Sequence, residues 1–207
     1  MTIPTTAIPS EAPVMVLPAA LLFPGVLMPL YIFEQRYRAM LNWALVHDRT
    51  FCVALMKPGV TEAKSEDDFF HTCGVGLVRA CVTSKDGTSN LMLQGMSRVR
   101  LSGFVQVAPF RIAKLTPIPT VPGSEAQTAP LVAELRALCK RFRSGGLTES
   151  IEAFLLKMTD YDSLADAISH SLVRDPFRRQ QIFEEPRLPQ RIELIIHHIT
   201  AETGEKS

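Results

Sequence analysis

The chain lacks an excess of charge of one sign, a dense set of cysteines and an uninterrupted apolar helix. Its 207 residues include 22 Lys and Arg against 21 Asp and Glu, which gives a formal net charge of +1. This near-equal number of positive and negative residues disfavours a general electrostatic binder of nucleic acid, which needs a basic excess. Four cysteines in a chain of this length do not form a disulfide scaffold, and no Cys-x-x-Cys pair occurs, so buried free thiols are expected.

The sequence also lacks the short motifs that carry most enzyme chemistry. There is no GxxxxGK[ST], GxGxxG, GxSxG or HExxH. His71, Cys73 and Cys81 form only a weak metal-ligand pattern, because zinc sites usually have paired ligands at short spacing. We therefore predict no catalytic residues, no metal site and no cofactor.

An apolar stretch at residues 14–33 contains no charged residue but is not expected to span a membrane. Pro18, Pro24 and Pro29 each remove a backbone donor that a helix would need. No Lys or Arg precedes the stretch, so it does not match a secretory signal either. Buried strands separated by turns fit better, and the predicted location is the cytoplasm with no membrane association.

The first 117 residues have mostly the pattern of β-strands. Apolar, partly β-branched runs predict strands at residues 14–17, 26–30, 51–56, 75–83, 91–93 and 110–115. Asp86 and Gly87 predict a tight hairpin turn, and Gly103 predicts a bulge. The lone Gly74-Val75-Gly76 indicates a close backbone approach within a strand.

One helix is predicted in this half, beginning near Phe33. Its buried stripe would contain Phe33, Tyr37, Met40, Leu41 and Ala44, which recur at helical spacing. Trp43 lies off this stripe, so it either contacts another part of the fold or is partly exposed.

A proline-rich connection is predicted at residues 118–130, followed by a bundle of four or five short helices at 131–207. The predicted helix boundaries are a stop at Gly145-Gly146, caps at Thr148, Ser163 and Asp175, a start at Pro189 and an end at Gly204. The fold class is therefore α+β, with a strand-rich part first and a helical part second.

Residues 21–41, LLFPGVLMPLYIFEQRYRAML, resemble the opening signature of the LON substrate-binding domain, the N-terminal domain of Lon protease. The matching residues are Leu22-Phe23-Pro24-Gly25, Leu30-Tyr31-Ile32-Phe33-Glu34 and Arg36-Tyr37-Arg38-Ala39-Met40. Residues 73–101 are similar to the glycine-containing strands and Asp-Gly hairpin of that family, and residues 164–172 and 178–195 to its helical ending. Gln35 departs from the pattern, which usually has proline there.

The resemblance implies a PUA-like β pseudo-barrel followed by a helical bundle, together forming one LON domain. It also implies a role in recognising proteins: unfolded or apolar segments, or a protein partner. The residues for an ATPase and a peptidase are missing, so the expectation is a stand-alone, non-catalytic LON-domain protein. Weak association into a homo-oligomer is left open.

An RNA-binding module is the alternative, because PUA-like barrels in other families bind RNA. Arg174, Arg178, Arg179 and Arg187 give the helical half a basic patch, but no aromatic residues alternate with them for base stacking. Nucleic acid is therefore the disfavoured partner.

The candidate peptide-binding residues come from the signature segment. They are Met28, Tyr31, Phe33, Glu34, Arg36, Tyr37, Arg38 and Trp43. Methionine and aromatic side chains adapt to varied apolar peptides, and arginine can bind carboxylates or backbone carbonyl groups. The alternative is that the segment only specifies the fold, with Tyr37 in the core and the charges paired with each other.

Overall fold

The computed structural model describes residues 7–141 and 149–202. The chain divides into two compact units, the first ending at Ile118 and the second beginning at Pro119. The helix stop expected at Gly145-Gly146, the cap at Thr148 and the helix end at Gly204 lie outside the described residues. None of the described helices is both long enough and apolar enough to cross a membrane.

The first unit is a six-stranded sheet with one helix. Its elements are β1 (Glu11–Leu17), β2 (Leu27–Ile32), α1 (Gln35–Val46), β3 (Thr50–Leu55), β4 (Thr72–Thr83), β5 (Ser89–Gln106) and β6 (Arg111–Pro117), with a 3-10 turn at Glu66–Asp68. The strand order is β2-β5-β4-β3-β1-β6. β1 and β3 are parallel, and the other neighbouring strands are antiparallel.

The 18-residue strand β5 closes the sheet on itself. Its first part pairs with β2 and β4, and its last part, from Val99, pairs with β6. The pairings thus run from β5 through β4, β3, β1 and β6 back to β5, and β2 is left as an edge strand. The register shifts between Leu101 and Phe104, where Gly103 adopts a φ of +148°, so the predicted bulge is confirmed. The α+β class is confirmed as well, although the sheet is not a regular barrel.

Helix α1 buries Tyr37, Met40, Leu41 and Ala44, as its sequence pattern predicts. The predicted start near Phe33 is confirmed to within two residues, but the placement of Phe33 in the buried stripe is wrong. Strand β2 continues through Ile32 opposite Ser89, and the first helical hydrogen bond runs from the Arg38 amide to the Glu34 carbonyl. Phe33 therefore lies between strand and helix, outside the buried stripe.

The Leu-Phe-Pro-Gly segment lies directly against the backbones of β4 and β5. A Cβ atom on Gly74 would overlap the carbonyl oxygen of Leu22, and one on Gly95 would overlap that of Phe23. The Gly25 amide donates to the Gly95 carbonyl at 2.9 Å. The close approach predicted around Gly74 is therefore present, and side-chain-free positions on two strands make room for this segment.

The second unit consists of helices. They are α2 (Glu125–Arg141), α3 (Glu149–Lys157), α4 (Tyr161–Leu172), α5 (Pro176–Glu184) and α6 (Leu188–Glu202). Helix α6 contributes Ile192, Ile195 and Ile199 to a core that also contains Leu135 of α2 and Ile168 of α4. Ile196, the fourth member of the predicted stripe, packs against this core while partly exposed.

Two predicted helix starts in this unit are wrong. Helix α2 begins at Glu125, not at 131, because Ser124 and Gln127 exchange hydrogen bonds in a capping box, and the helix accommodates Pro130. Helix α4 is capped by Asp160, whose carboxylate accepts from the Ser163 amide at 2.9 Å, so Ser163 is not the cap. The cap predicted at Asp175, with Pro176 as the first helical residue, is confirmed.

Candidate protein-binding surface

Strand β2 presents apolar side chains on its outer face. Its residues alternate: Leu27, Pro29 and Tyr31 are exposed, whereas Met28 and Leu30 pack against the core of the first unit. This is the period-two pattern of a strand, but with apolar residues on both faces. The outer face is therefore apolar where a strand next to solvent would ordinarily be polar.

Two rows of residues cross the outer face from β2 over β5 to β4. One row is Pro29, Met92 and Ala80, and the other is Tyr31, Asn90 and Val82. Between them lies a shallow pocket of about 440 Å³, which we call the sheet-face pocket. Its lining residues are Pro29, Leu30, Tyr31, Ala80, Cys81, Val82, Asn90, Leu91 and Met92. No charged residue is among them, so the pocket suits an uncharged, apolar group.

Phe33 extends this apolar surface beyond the pocket. Its ring stacks on that of Tyr31 with 5.8 Å between the centroids. The exposed fractions are 54% for Tyr31, 60% for Phe33 and 69% for Val82, high values for side chains of this kind. A contiguous exposed apolar patch of this kind is typical of a site that contacts another molecule.

The charged residues of the signature segment are engaged within the protein. Glu34 and Arg36 form an ion pair at 2.8 Å, and the Arg36 guanidinium lies 4.7 Å from the centre of the Tyr37 ring. Arg38 donates to the backbone carbonyl of Asp86 in the β4–β5 turn. Arg38 therefore connects helix α1 to the β4–β5 turn, whereas Glu34 and Arg36 are paired locally with each other and with Tyr37.

Tyr37 belongs to the core. Its hydroxyl donates to the Val16 carbonyl at 3.0 Å and accepts from the Val16 amide at 3.3 Å. Burial raises the pKa of Tyr37. Trp43 is half-buried, stacked on His47 at 3.8 Å and tilted against Phe110. Of the eight candidate residues, Tyr31 lines the sheet-face pocket and Phe33 adjoins it, whereas Met28 packs inward.

The sequence reasoning missed the residues on β4 and β5. These are Ala80, Val82, Asn90 and Met92, to which β2 adds Pro29. A signal for them was present, because the Asp86-Gly87 turn restricts which β4 and β5 residues face each other. The bulge at Arg79, where the register shifts between Val78 and Ala80, could not be read from that turn.

A second pocket, of about 420 Å³, lies in the helical unit and is polar. Its carboxylates have partners: Asp160 caps α4, Asp162 pairs with the buried Arg191, and Glu125 accepts from the Tyr161 hydroxyl. Hydrogen bonding by Ser163 lowers the pKa of Asp160. The carboxylates of this pocket are thus explained by the packing of the helices around Arg191.

Within the described residues, no group of three or more His, Cys, Asp or Glu side chains could hold a metal ion. The four cysteines are free, and burial raises the pKa of the Cys139 thiol to about 11. In the basic patch, Arg178 pairs with Glu202 at 3.5 Å and Arg187 with Glu185 at 2.7 Å. These ion pairs reduce the positive charge that the patch could offer to a nucleic acid.

Comparisons with known proteins agree on one family. The profile described as the ATP-dependent protease La (LON) substrate-binding domain matches residues 11–201. The chain is 28% identical to the Lon protease of Paraburkholderia phytofirmans over 203 residues, covering 93% of the chain and 24% of that protein. It is 24% identical to the Lon protease of Desulfosudis oleivorans over 185 residues, covering 87% of the chain and 22% of that protein. The chain thus spans less than a quarter of the length of these two curated relatives.

Two solved structures have the same fold. The N-terminal domain of Lon protease from the Mycobacterium avium complex superimposes with a TM-score of 0.75 at 16% identity, over 92% of this chain and 98% of that one. A Lon N-terminal domain protein from Xanthomonas campestris gives a TM-score of 0.67 at 19% identity, over 90% and 97% of the two chains.

Proposed function

The chain belongs to the LON substrate-binding domain family, and we propose that it binds exposed apolar segments of other proteins at the sheet-face pocket. The observation that carries this proposal is the pocket lining: nine residues, none charged, on an exposed sheet face. Unfolded chains and partly folded partners expose apolar side chains that such a surface can cover.

Binding, rather than catalysis, is the proposed activity of this chain. The surface offers aromatic, aliphatic and amide groups together with the Cys81 thiol and the Tyr31 hydroxyl, and no histidine, carboxylate or amine lines the pocket to activate these two groups. We take the two units as subdomains of one LON domain, with the boundary near Ile118, and assign the site to the first unit. The cytoplasm, where nascent and damaged chains occur, is the proposed location.

The expected affinity is modest. Burying a side chain such as that of Val82 or Tyr31 contributes about 1.5–3 kcal/mol. Much of this gain is offset by the ordering of a flexible peptide. Dissociation constants in the micromolar range or weaker follow, equivalent to about 8 kcal/mol or less. Weak binding of this kind suits a surface that accepts many sequences.

The experiment uses the full chain and a fluorescent peptide in which leucine and threonine alternate. Val82→Asp places a charge in the sheet-face pocket, and we expect it to weaken binding at least about tenfold, since a carboxylate there must lose water against apolar groups. Val46→Asp is the matched control, because Val46 is even more exposed and does not line the pocket.

Anisotropy titrations and melting temperatures are measured for both variants. Equal affinity of Val82→Asp and wild type would show that the pocket is not the site. A wild-type chain that binds neither the peptide nor a reduced, carboxymethylated protein would contradict the proposed function itself. Displacement of the peptide by RNA, with a strong dependence on salt, would favour the nucleic-acid alternative.

A further inference from the structure

We propose that the captured segment binds in an extended conformation along the open edge of β2, adding one strand to the sheet. Its side chains at every second residue would then lie on the side of the sheet-face pocket. This inference rests on the proposed function and adds how the segment is held and which spacing of apolar residues is selected.

The edge of β2 is available for pairing. Within residues 7–141 and 149–202, β2 pairs with β5 alone. Leu27, Pro29 and Tyr31 on this strand are all exposed. An open strand edge is a template for an extended chain, because its outward amides and carbonyls have no ladder partner.

Pro29 determines which backbone groups point outward. Proline has no amide hydrogen, so Pro29 cannot donate to Met92, the residue opposite it on β5. In an antiparallel pair, residues with ladder hydrogen bonds alternate with residues without them. The bonds to β5 are therefore made at Met28, Leu30 and Ile32, and the amides of Leu27 and Tyr31 face away from β5.

An added strand would find hydrogen-bond partners at three alternate positions. Leu27 and Tyr31 each offer a donor and an acceptor, whereas Pro29 offers only its carbonyl oxygen. Peptide residues directly opposite these three place their side chains on the same face as theirs, which is the face of the sheet-face pocket. The edge therefore selects apolar residues at every second position, and the exposed side chains of Leu27, Pro29 and Tyr31 provide the contact for them.

Pro29 also argues against a second copy of this chain as the occupant. If two β2 edges pair around Pro29, the two prolines lie opposite each other and neither has a hydrogen to donate. A segment without proline makes more hydrogen bonds to the same edge. The missing donor further limits how strongly any strand binds, which keeps capture reversible.

The test is a scan of N-methyl groups along the alternating leucine-threonine peptide. Each methyl group removes one backbone donor and leaves the side chain in place. We expect losses of about tenfold or more at every second residue, and changes within about twofold at the residues between. Affinity that is insensitive to methylation, or reduced equally at all positions, overturns strand addition but leaves the proposed function standing. An unmethylated peptide that does not bind overturns both.

A pair of variants tests the protein side. Tyr31→Pro removes the outward amide without touching the ladder to β5, and Tyr31→Ala removes the ring but keeps the amide. Strand addition predicts that the proline variant binds at least about fivefold more weakly than the alanine variant. Equal affinities of the two variants would refute it.

Leu27→Pro, compared with Leu27→Ala, repeats the test at the other end of the edge, in case Tyr31→Pro lowers the melting temperature. Sedimentation of the free chain provides the remaining measurement. A dimer that both proline variants dissociate would assign the edge to a second copy and overturn the proposal.

Discussion

Arg38 in helix α1 and Asp86 in the β4–β5 turn are joined by a hydrogen bond. The Arg38 Nη2 atom donates to the backbone carbonyl oxygen of Asp86 at 3.0 Å, across 48 residues of sequence. The side chain also lies where a Cβ atom on Gly87 would be. A residue that the sequence suggested as a ligand contact thus fixes the hairpin turn to the helix.

Replacing Gly87 by alanine should destabilise the first unit. Gly87 has a φ of +81°, a conformation that costs an L-residue about 1–2 kcal/mol, and its new methyl group would also displace Arg38. Gly59→Ala is the control, because Gly59 has a φ of +78° with open space around it. Urea unfolding should show a larger loss for Gly87→Ala than for Gly59→Ala. Equal losses would mean that Arg38 moves aside freely.

Gly74→Ala should be more damaging than either turn variant. The added methyl group would overlap the backbone carbonyl of Leu22, which cannot rotate away as the end of a side chain can. We expect a loss of about 3 kcal/mol or more in the free energy of unfolding, the upper range for overpacking. A variant that unfolds within about 1 kcal/mol of wild type in urea would contradict the tight packing of the Leu-Phe-Pro-Gly segment.

Shortening a buried side chain at the centre of α6 should lower the stability of the second unit. Ile195 is fully buried, and Ile195→Ala is expected to cost about 2–5 kcal/mol because it leaves a cavity among helices. Ile151→Ala removes the same atoms from a side chain that is 42% exposed, so its cost should stay below about 1 kcal/mol. Thermal and urea unfolding of both variants provides the measurement. Similar losses would show that α6 is peripheral.

Stability should fall as the solution is acidified below the usual pKa of histidine. Burial, helped by the charge of Arg179, lowers the pKa of His170 from its ordinary value of 6.5. The folded state therefore prefers the neutral ring, and the unfolded chain binds a proton first as the pH falls. The stability conferred by the neutral ring is complete above about pH 6.5 and is lost as the pH falls from there through the folded-state pKa.

His170→Gln should reduce this dependence. Urea unfolding at about pH 7.5 and about pH 5.5 measures it, a window above the range where carboxylates titrate. His198, whose pKa is also lowered by burial, is expected to contribute in the same direction. A His170→Gln variant with the wild-type pH dependence would contradict this assignment.

Much of the fold could be predicted because local signals and packing agree. Asp86 and Gly87 specify a turn that only a few backbone conformations satisfy, and the stripe of α1 follows from helical spacing. The start of α2 could also have been found, since Ser124 and Gln127 have the spacing of a capping box. The many prolines of this region favour a connection without regular structure, although a helix can accommodate one proline such as Pro130.

The candidate site was less predictable, because a surface depends on register and side-chain direction. Tyr31 and Phe33 are exposed as a binding role requires. Tyr37 has equally suitable chemistry but points toward Val16 and is buried. Val82 and Met92 lie far from the signature in sequence and join Tyr31 only through the pairing of three strands. Suitable side-chain chemistry alone therefore points also to residues such as Tyr37, which the packing places in the core.

The closure of the sheet has a consequence for synthesis of the chain on the ribosome. β1 leaves the exit tunnel well before β6, the strand with which it pairs, where Val14 lies opposite Arg111. The ring therefore stays open until β6 has emerged, and the apolar strand β1 waits with one edge unpaired while about a hundred residues are made. At about 5–20 residues per second this interval lasts seconds, long enough for nascent chains to aggregate or to engage chaperones. A domain proposed to bind incomplete proteins thus passes through such a state itself.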